Sequence, residues 1–144
     1  MANSESRFKT ELINHTRERY PRSHIFAVTD KFMSGVPDVY AKVIDHEVSL
    51  PSMWLELKFL KIFKGPVTHN YPVNLTALQR RWIGKENEAG GFGVWVLCVK
   101  VGKEEFLYAS RRGHAERTSV VNLAATRRAG TPWDIFDIYA KLEG

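Results

Sequence analysis

The sequence predicts a single α/β domain spanning residues 1–144, with its elements in the order α-β-β-β-α-β-β-α. Three observations predict it. The chain is 144 residues long, which is one domain and enough to bury one core. Helical and strand periodicities alternate along it, the pattern of a sheet covered by helices. No internal repeat, low-complexity tract or linker divides it. The core is expected over residues 4–110, with 111–144 as a C-terminal extension.

Residues 4–20, SESRFKTELINHTRERY, place Phe8, Leu12, Ile13 and Tyr20 along one helical face. Ser4 suits the N-cap and Pro21 stops the helix. HIFAVT (24–29) follows as a short strand, and DKFMSGVP (30–37) as a loop whose Gly35 and Pro37 suit a tight turn. DVYAKVI (38–44) and SMWLELKFL (52–60) are the next two strands, joined as a hairpin through DHEVSLP. Residues 61–73 hold two prolines and are irregular. Asn74 is expected to cap a second helix with Leu75, Leu78 and Trp82 on its stripe, ended by Gly90-Gly91. FGVWVLCVKV (92–101) is the strongest strand, and EEFLYAS (104–110) pairs with it across a Gly-Lys turn. The pattern then weakens until PWDIFDIYAKL (132–142), a closing helix with Pro132 at its first position. Its apolar residues suit either core or a subunit interface.

A composition 44% hydrophobic and 26% charged is that of a soluble globular protein. No run reaches the roughly 18 apolar residues of a membrane span, so no membrane partner is expected. MANSESRFKT lacks the apolar stretch of a secretory signal. The single cysteine, Cys98, lies in an apolar run, suits an inert buried thiol and fits a reducing, cytoplasmic setting. The five histidines have neither i, i+4 partners nor cysteines at zinc spacing. A net charge of +5 favours a polyanionic partner, most commonly nucleic acid.

Side chains alternate across a strand. In MWLELKFL, Met53, Leu55, Leu57 and Phe59 take one face, and Trp54, Glu56 and Lys58 the other. Glu56 and Lys58 thus stand side by side, about 7 Å apart along the strand. On their own they suit a solvent-exposed ion pair. Asp38 gives them a second meaning, because an acid is a poor strand residue and entering a core is costly for it. An acid at the start of one strand, followed by Glu-x-Lys on the next, is the minimum set for metal-assisted phosphodiester hydrolysis. Two carboxylates suit a hard cation such as Mg²⁺, which activates water and offsets charge on the phosphate. The lysine stabilises that charge or orients the water.

GVPD…WLELK resembles the PD-(D/E)XK nuclease superfamily, with Pro37-Asp38 as the PD and Glu56-Leu57-Lys58 as the (D/E)XK. The N-terminal helix beginning SESRF, the Gly-containing turn into PD and the helix LTALQRRW are similar to the branch holding VRR-NUC domains and Holliday-junction resolvases, small phage nucleases among them. The resemblance covers residues 4–101. It implies a restriction-endonuclease-like core, a central mixed β-sheet flanked by helices. It also implies Asp38, Glu56 and the Leu57 carbonyl as ligands of Mg²⁺ or Mn²⁺, Lys58 as the catalytic lysine, and Gln79 approaching the site from the following helix. The resemblance further implies an early helix acid, Glu5 with Glu11 as the alternative, to bind metal directly or through water.

The basic residues Lys61, Lys64, Arg80, Arg81 and Lys85 suit phosphate contacts or simply a solvated face. The pairs Arg111-Arg112 and Arg127-Arg128 are similar, with Tyr71 or Trp82 as stacking partners for unpaired bases. The expectation is a metal-dependent DNA endonuclease, structure-selective for junctions or flaps or acting on duplex generally. A resolvase would be a homodimer, and a phage-encoded enzyme would work in the host cytoplasm. The alternative is a nuclease-like module that binds nucleic acid without cutting it.

Overall fold

The computed structural model describes residues 4–29, 35–120 and 123–142. It is an α/β fold with a mixed central sheet flanked by helices. In chain order the elements are α1 (Ser4–Arg19), β1 (His24–Ala27), β2 (Val39–Lys42), β3 (Ile44–Asp45), β4 (Val48–Ser49), β5 (Met53–Ile62), α2 (Ala77–Glu88), β6 (Gly93–Val101), β7 (Glu104–Ser110), β8 (Leu123–Arg128) and α3 (Ile135–Leu142). A short 3₁₀ turn, Thr118–Val120, precedes β8. The six-stranded sheet has the order β1-β2-β5-β6-β7-β8, and only β5 and β6 run parallel among its pairs. α2 supplies the crossover that a parallel pair requires.

The sheet is covered on both faces, which explains why β6 is apolar almost throughout. One face of β5 and β6, with Met53, Leu55, Leu57, Val94, Val96 and Cys98, packs with Phe8, Leu12 and Ile13 of α1 and with α3. The opposite face, with Trp95, Leu97 and Val99, packs with Ile83 of α2 and with Tyr71, Val73 and Leu75 of the connection before it. Cys98 is buried, and desolvation pushes its thiol pKa well up. That is an inert thiol, as its apolar run suggests.

Several expectations need correction. α1 ends at Arg19, and Tyr20 lies in the bend beyond it, its hydroxyl donating to Asp134 at 3.0 Å. The strands expected at 24–29 and 38–44 are shorter, and the connection after β2 folds into its own two-stranded hairpin, β3 with β4. β5 continues to Ile62, into the stretch expected to be irregular, because it pairs with β6 along that length. The N-cap of α2 is Thr76, not Asn74: its hydroxyl accepts from the Gln79 amide at 3.1 Å while the Gln79 side-chain oxygen accepts from Thr76 N–H at 2.9 Å. The buried residue of α2 is Ile83, whereas Leu78 is 45% exposed. α3 begins at Ile135, and Asp134 rather than Pro132 sets its start, accepting from Phe136 N–H at 2.9 Å.

Residues after 110 are not an appendage. β8 extends the sheet beside β7, and Trp133, Ile135, Ile138, Tyr139 and Leu142 are buried in the same core cluster as Phe8, Leu12 and Ile13 of α1. Trp133, Ile135, Ile138 and Tyr139 of PWDIFDIY are therefore core, while Phe136 is half-buried at its margin. Residues 30–34 of the expected loop lie outside the described residues.

The Thr76 capping box gives a direct test. Thr76→Ala removes one hydroxyl acceptor from the start of α2 and should lower the free energy of unfolding by about 1 kcal/mol in urea titration. An unchanged midpoint would mean that the cap does not hold this helix end.

Candidate functional site

The antiparallel pairing of β2 with β5 aligns Val39 with Leu55 and Tyr40 with Trp54. Continuing that register carries Asp38, one residue before β2, to the level of Glu56. Asp38 is fastened at both ends of the residue. Its carbonyl accepts from Val28 N–H at 2.7 Å, and its carboxylate Oδ2 accepts from Leu57 N–H at 3.3 Å. A strand-edge acid thus takes the place of a ladder carbonyl, which is a local reason for its tolerance there.

The approach to Asp38 is set by Gly35. Its φ of +87° is a left-handed conformation that favours glycine, and an added Cβ would stand 2.5 Å from the Leu78 carbonyl oxygen. The chain therefore passes against the first turn of α2 immediately before Pro37 and Asp38.

Glu56 is 2% exposed, so it does not belong to a solvated face. Lys58 Nζ stands 3.6 Å from Glu56 Oε2 on the same side of β5. That matches the period-2 reading of MWLELKFL, but inside the protein rather than on its surface. Burial of a carboxylate is costly unless cations and hydrogen-bond donors compensate it.

The third acid comes from α1. Phe8 and Leu12 seat that helix on the sheet, and its first turn brings Glu5 to the site. Glu5, Asp38 and Glu56 each offer a carboxylate oxygen, and the three lie within 4.8 Å of one another. A cavity of about 230 Å³ opens beside them, lined by Glu5, Ser6, Lys9, Asp38 and Leu57. Ser6 and Lys9 belong to no motif in the sequence; Lys9 has a helical signal, since at i+4 it neighbours Glu5 on α1, whereas Ser6 at i+1 has none.

Glu11, the alternative acid, is elsewhere. It lines a separate cavity with Arg7, Lys61, Lys100 and Glu105. Burial, then the nearby Glu105 carboxylate, raises its pKa above the ordinary value, with Arg7 opposing the change. Gln79 is close in sequence to the Gly35 contact, but its amide oxygen is engaged in the α2 cap. The structure gives it a capping role.

The five basic positions do not form one patch. Lys61 shares the α1 side of the sheet with Glu11 and Phe59, and its ammonium lies 4.9 Å from the Phe63 ring centre. Lys64 is exposed nearby in the chain. Arg80 turns back onto the Leu75 carbonyl at 3.3 Å, whereas Arg81 and Lys85 are exposed on α2. Arg111 and Arg127 are structural, bonding Gly91 O at 2.6 Å and Asp137 at 2.9 Å respectively. Tyr71 is buried and offers no stacking surface, while Trp82 is half-buried against Trp54.

Chemically, three carboxylates this close repel one another unless positive charge lies between or beside them. Their donor set is all oxygen, which fits a hard divalent cation rather than a soft one. The chain matches no protein-family model and no curated protein.

The Glu56–Lys58 pair can be measured directly. A double-mutant cycle on unfolding, with Glu56→Gln and Lys58→Met, should give a favourable coupling of about 1 kcal/mol or more. A coupling near zero would show that the lysine does not compensate the buried carboxylate.

Proposed function

We propose that the protein is a Mg²⁺- or Mn²⁺-dependent DNA endonuclease with a restriction-endonuclease-like core of the PD-(D/E)XK kind. The observation that carries this reading is the convergence of Glu5, Asp38 and Glu56, from three separate elements, within 4.8 Å and with Lys58 beside Glu56. An ordinary surface cluster of acids would not require one member to be buried in the sheet with a lysine against it.

Glu5, Asp38 and Glu56 would hold the cation, with the Leu57 carbonyl as a further oxygen donor. Bound there, it supplies Lewis-acid charge that activates water and neutralises the scissile phosphate. The chain's own groups divide the remaining tasks. Leu57 N–H fixes the carboxylate of Asp38, so its oxygens are oriented before any ligand arrives. Lys58 supplies an ammonium to a phosphate oxygen or to the attacking water. Its closeness to Glu56 keeps that ammonium near the reacting centre. Symmetric cutting of a junction would need two such sites at fixed separation, hence a homodimer.

Cleavage of labelled DNA should require Mg²⁺ or Mn²⁺ and stop with EDTA. Asp38→Ala or Glu56→Ala should lower the rate about a thousandfold, the equivalent of losing several kcal/mol of transition-state stabilisation. Glu11→Ala should cut at the rate of the unaltered protein. Duplex, flap and four-way junction substrates separate the structural preferences, and paired symmetric nicks on the junction alone would identify a resolvase. Cleavage in EDTA, or equal cleavage by Asp38→Ala, would overturn the mechanism. No cleavage of any substrate by the folded protein would favour a binding module instead.

A further inference from the structure

The β1–β2–β5 part of the sheet, on the face that carries α2, bears a row of aromatic rings beside the acids. Phe26 of β1 stands 5.3 Å from Tyr40 of β2, Tyr40 is 5.0 Å from Trp54 of β5, and Trp54 is 5.3 Å from Trp82 of α2, all between ring centres. Strand register explains the first three, since Phe26 pairs with Tyr40 and Tyr40 with Trp54. None of the four is fully buried, and Phe26 is 47% exposed. A row of this size, spread over four elements and still reached by solvent, is not needed as core. The core residues on these strands, Ile25, Val39, Ala41 and Leu55, take the other face.

Position gives the row its meaning. Asp38 lies two residues from Tyr40 and Glu56 two from Trp54, so the row runs about 7 Å from the acids along the strands. Charge gives it a partner. On α2, Leu78, Arg81, Trp82 and Lys85 are spaced i, i+3, i+4 and i+7, which puts the two cations on the face that carries Trp82. Arg81 and Lys85 are exposed there. Lys42 of β2 alternates onto the same side of the sheet as Tyr40 and is half-buried. Exposed rings interleaved with cations are what unpaired nucleotides bind: bases stack on rings while cations follow the phosphates. Duplex DNA keeps its bases stacked inside and cannot use such a row.

We infer that the Phe26–Tyr40–Trp54–Trp82 row is a stacking platform for a single-stranded DNA segment, leading that strand to the Glu5–Asp38–Glu56 site. This rests on the nuclease reading for its choice of DNA, and it narrows the substrate to strands with unpaired nucleotides next to the cut. Arg81 and Lys85 hold the phosphates on the α2 side and Lys42 on the β2 side.

Binding is measured in EDTA, so no cleavage is involved, by anisotropy of a labelled thymidine oligonucleotide and by quenching of tryptophan fluorescence. The single strand should quench the fluorescence and bind at least about tenfold more tightly than a duplex or an abasic strand of equal charge. Phe26→Ala should weaken binding about tenfold while unfolding remains cooperative, and Phe26→Trp should restore it. Phe63→Ala, at a ring 80% exposed but outside the row, should bind as the unaltered protein does. Equal affinity for duplex and single strand would overturn the platform, as would a folded Phe26→Ala of full affinity. RNA bound more tightly than DNA of the same sequence would overturn the assignment to DNA. Stacking with no cleavage under any metal would fail the nuclease reading alone and support the platform.

Discussion

Everything at the site depends on how β2 meets β5. The register that pairs Val39 with Leu55 and Tyr40 with Trp54 brings Asp38 level with Glu56 and lets its carboxylate accept the Leu57 N–H at 3.3 Å. A shift of one residue would turn Glu56 and Lys58 to the opposite face, into the apolar core around Leu55 and Leu57. The alternation of apolar and polar side chains on β5 therefore fixes both the fold and the position of the acids. The parallel β6 then locks β5 along nine paired residues, from Trp54 to Ile62. Residues that make the core also hold the chemistry in place.

Around that register the helices act as positioning devices. α1 is seated by Phe8, Leu12 and Ile13, and its first turn brings Glu5 to Asp38 and Glu56. Its other end is tied to the chain before α3, where Tyr20 and His15 meet the Asp134 carboxylate at 3.0 and 3.3 Å. α2 covers the second face through Ile83 and carries Trp82 against Trp54. Gly35, pressed on the first turn of α2, couples that helix to the segment entering Asp38. The site is thus assembled from distant parts of the chain, which suits a pre-arranged set of charges rather than a flexible one.

Much of this was legible in the sequence because it rests on short periods. The two-residue alternation of MWLELKFL placed Glu56 and Lys58 together, and the spacing of Phe8, Leu12 and Ile13 found the buried face of α1. The burial of Glu56 was not legible, since Glu-Leu-Lys reads equally well as a solvated face. β8 was missed because LAATRR has little β-branched or aromatic content; it is a strand through pairing with β7, a tertiary effect. The true cap of α2 was readable, as Thr76 and Gln79 have capping-box spacing, but Asn74 offered a competing cap two residues earlier. The same hydrogen bond gave Gln79 a role that sequence order could not reveal. Glu5 and Glu11 lie about 120° apart around α1, and the seating of that helix decides that Glu5 is the one to meet Asp38 and Glu56.

The central claim is that Glu5, Asp38 and Glu56 form one divalent-cation site. It is tested most directly by growing crystals with Mn²⁺ and mapping its anomalous scattering. The account predicts a single peak within about 2.0–2.4 Å of a carboxylate oxygen from Asp38 and from Glu56, with Glu5 bound directly or through water, and no peak there in Asp38→Ala crystals. Mn²⁺ bound only elsewhere, or the three carboxylates closed on Lys9 and Lys58 with no cation at saturating Mn²⁺, would contradict it.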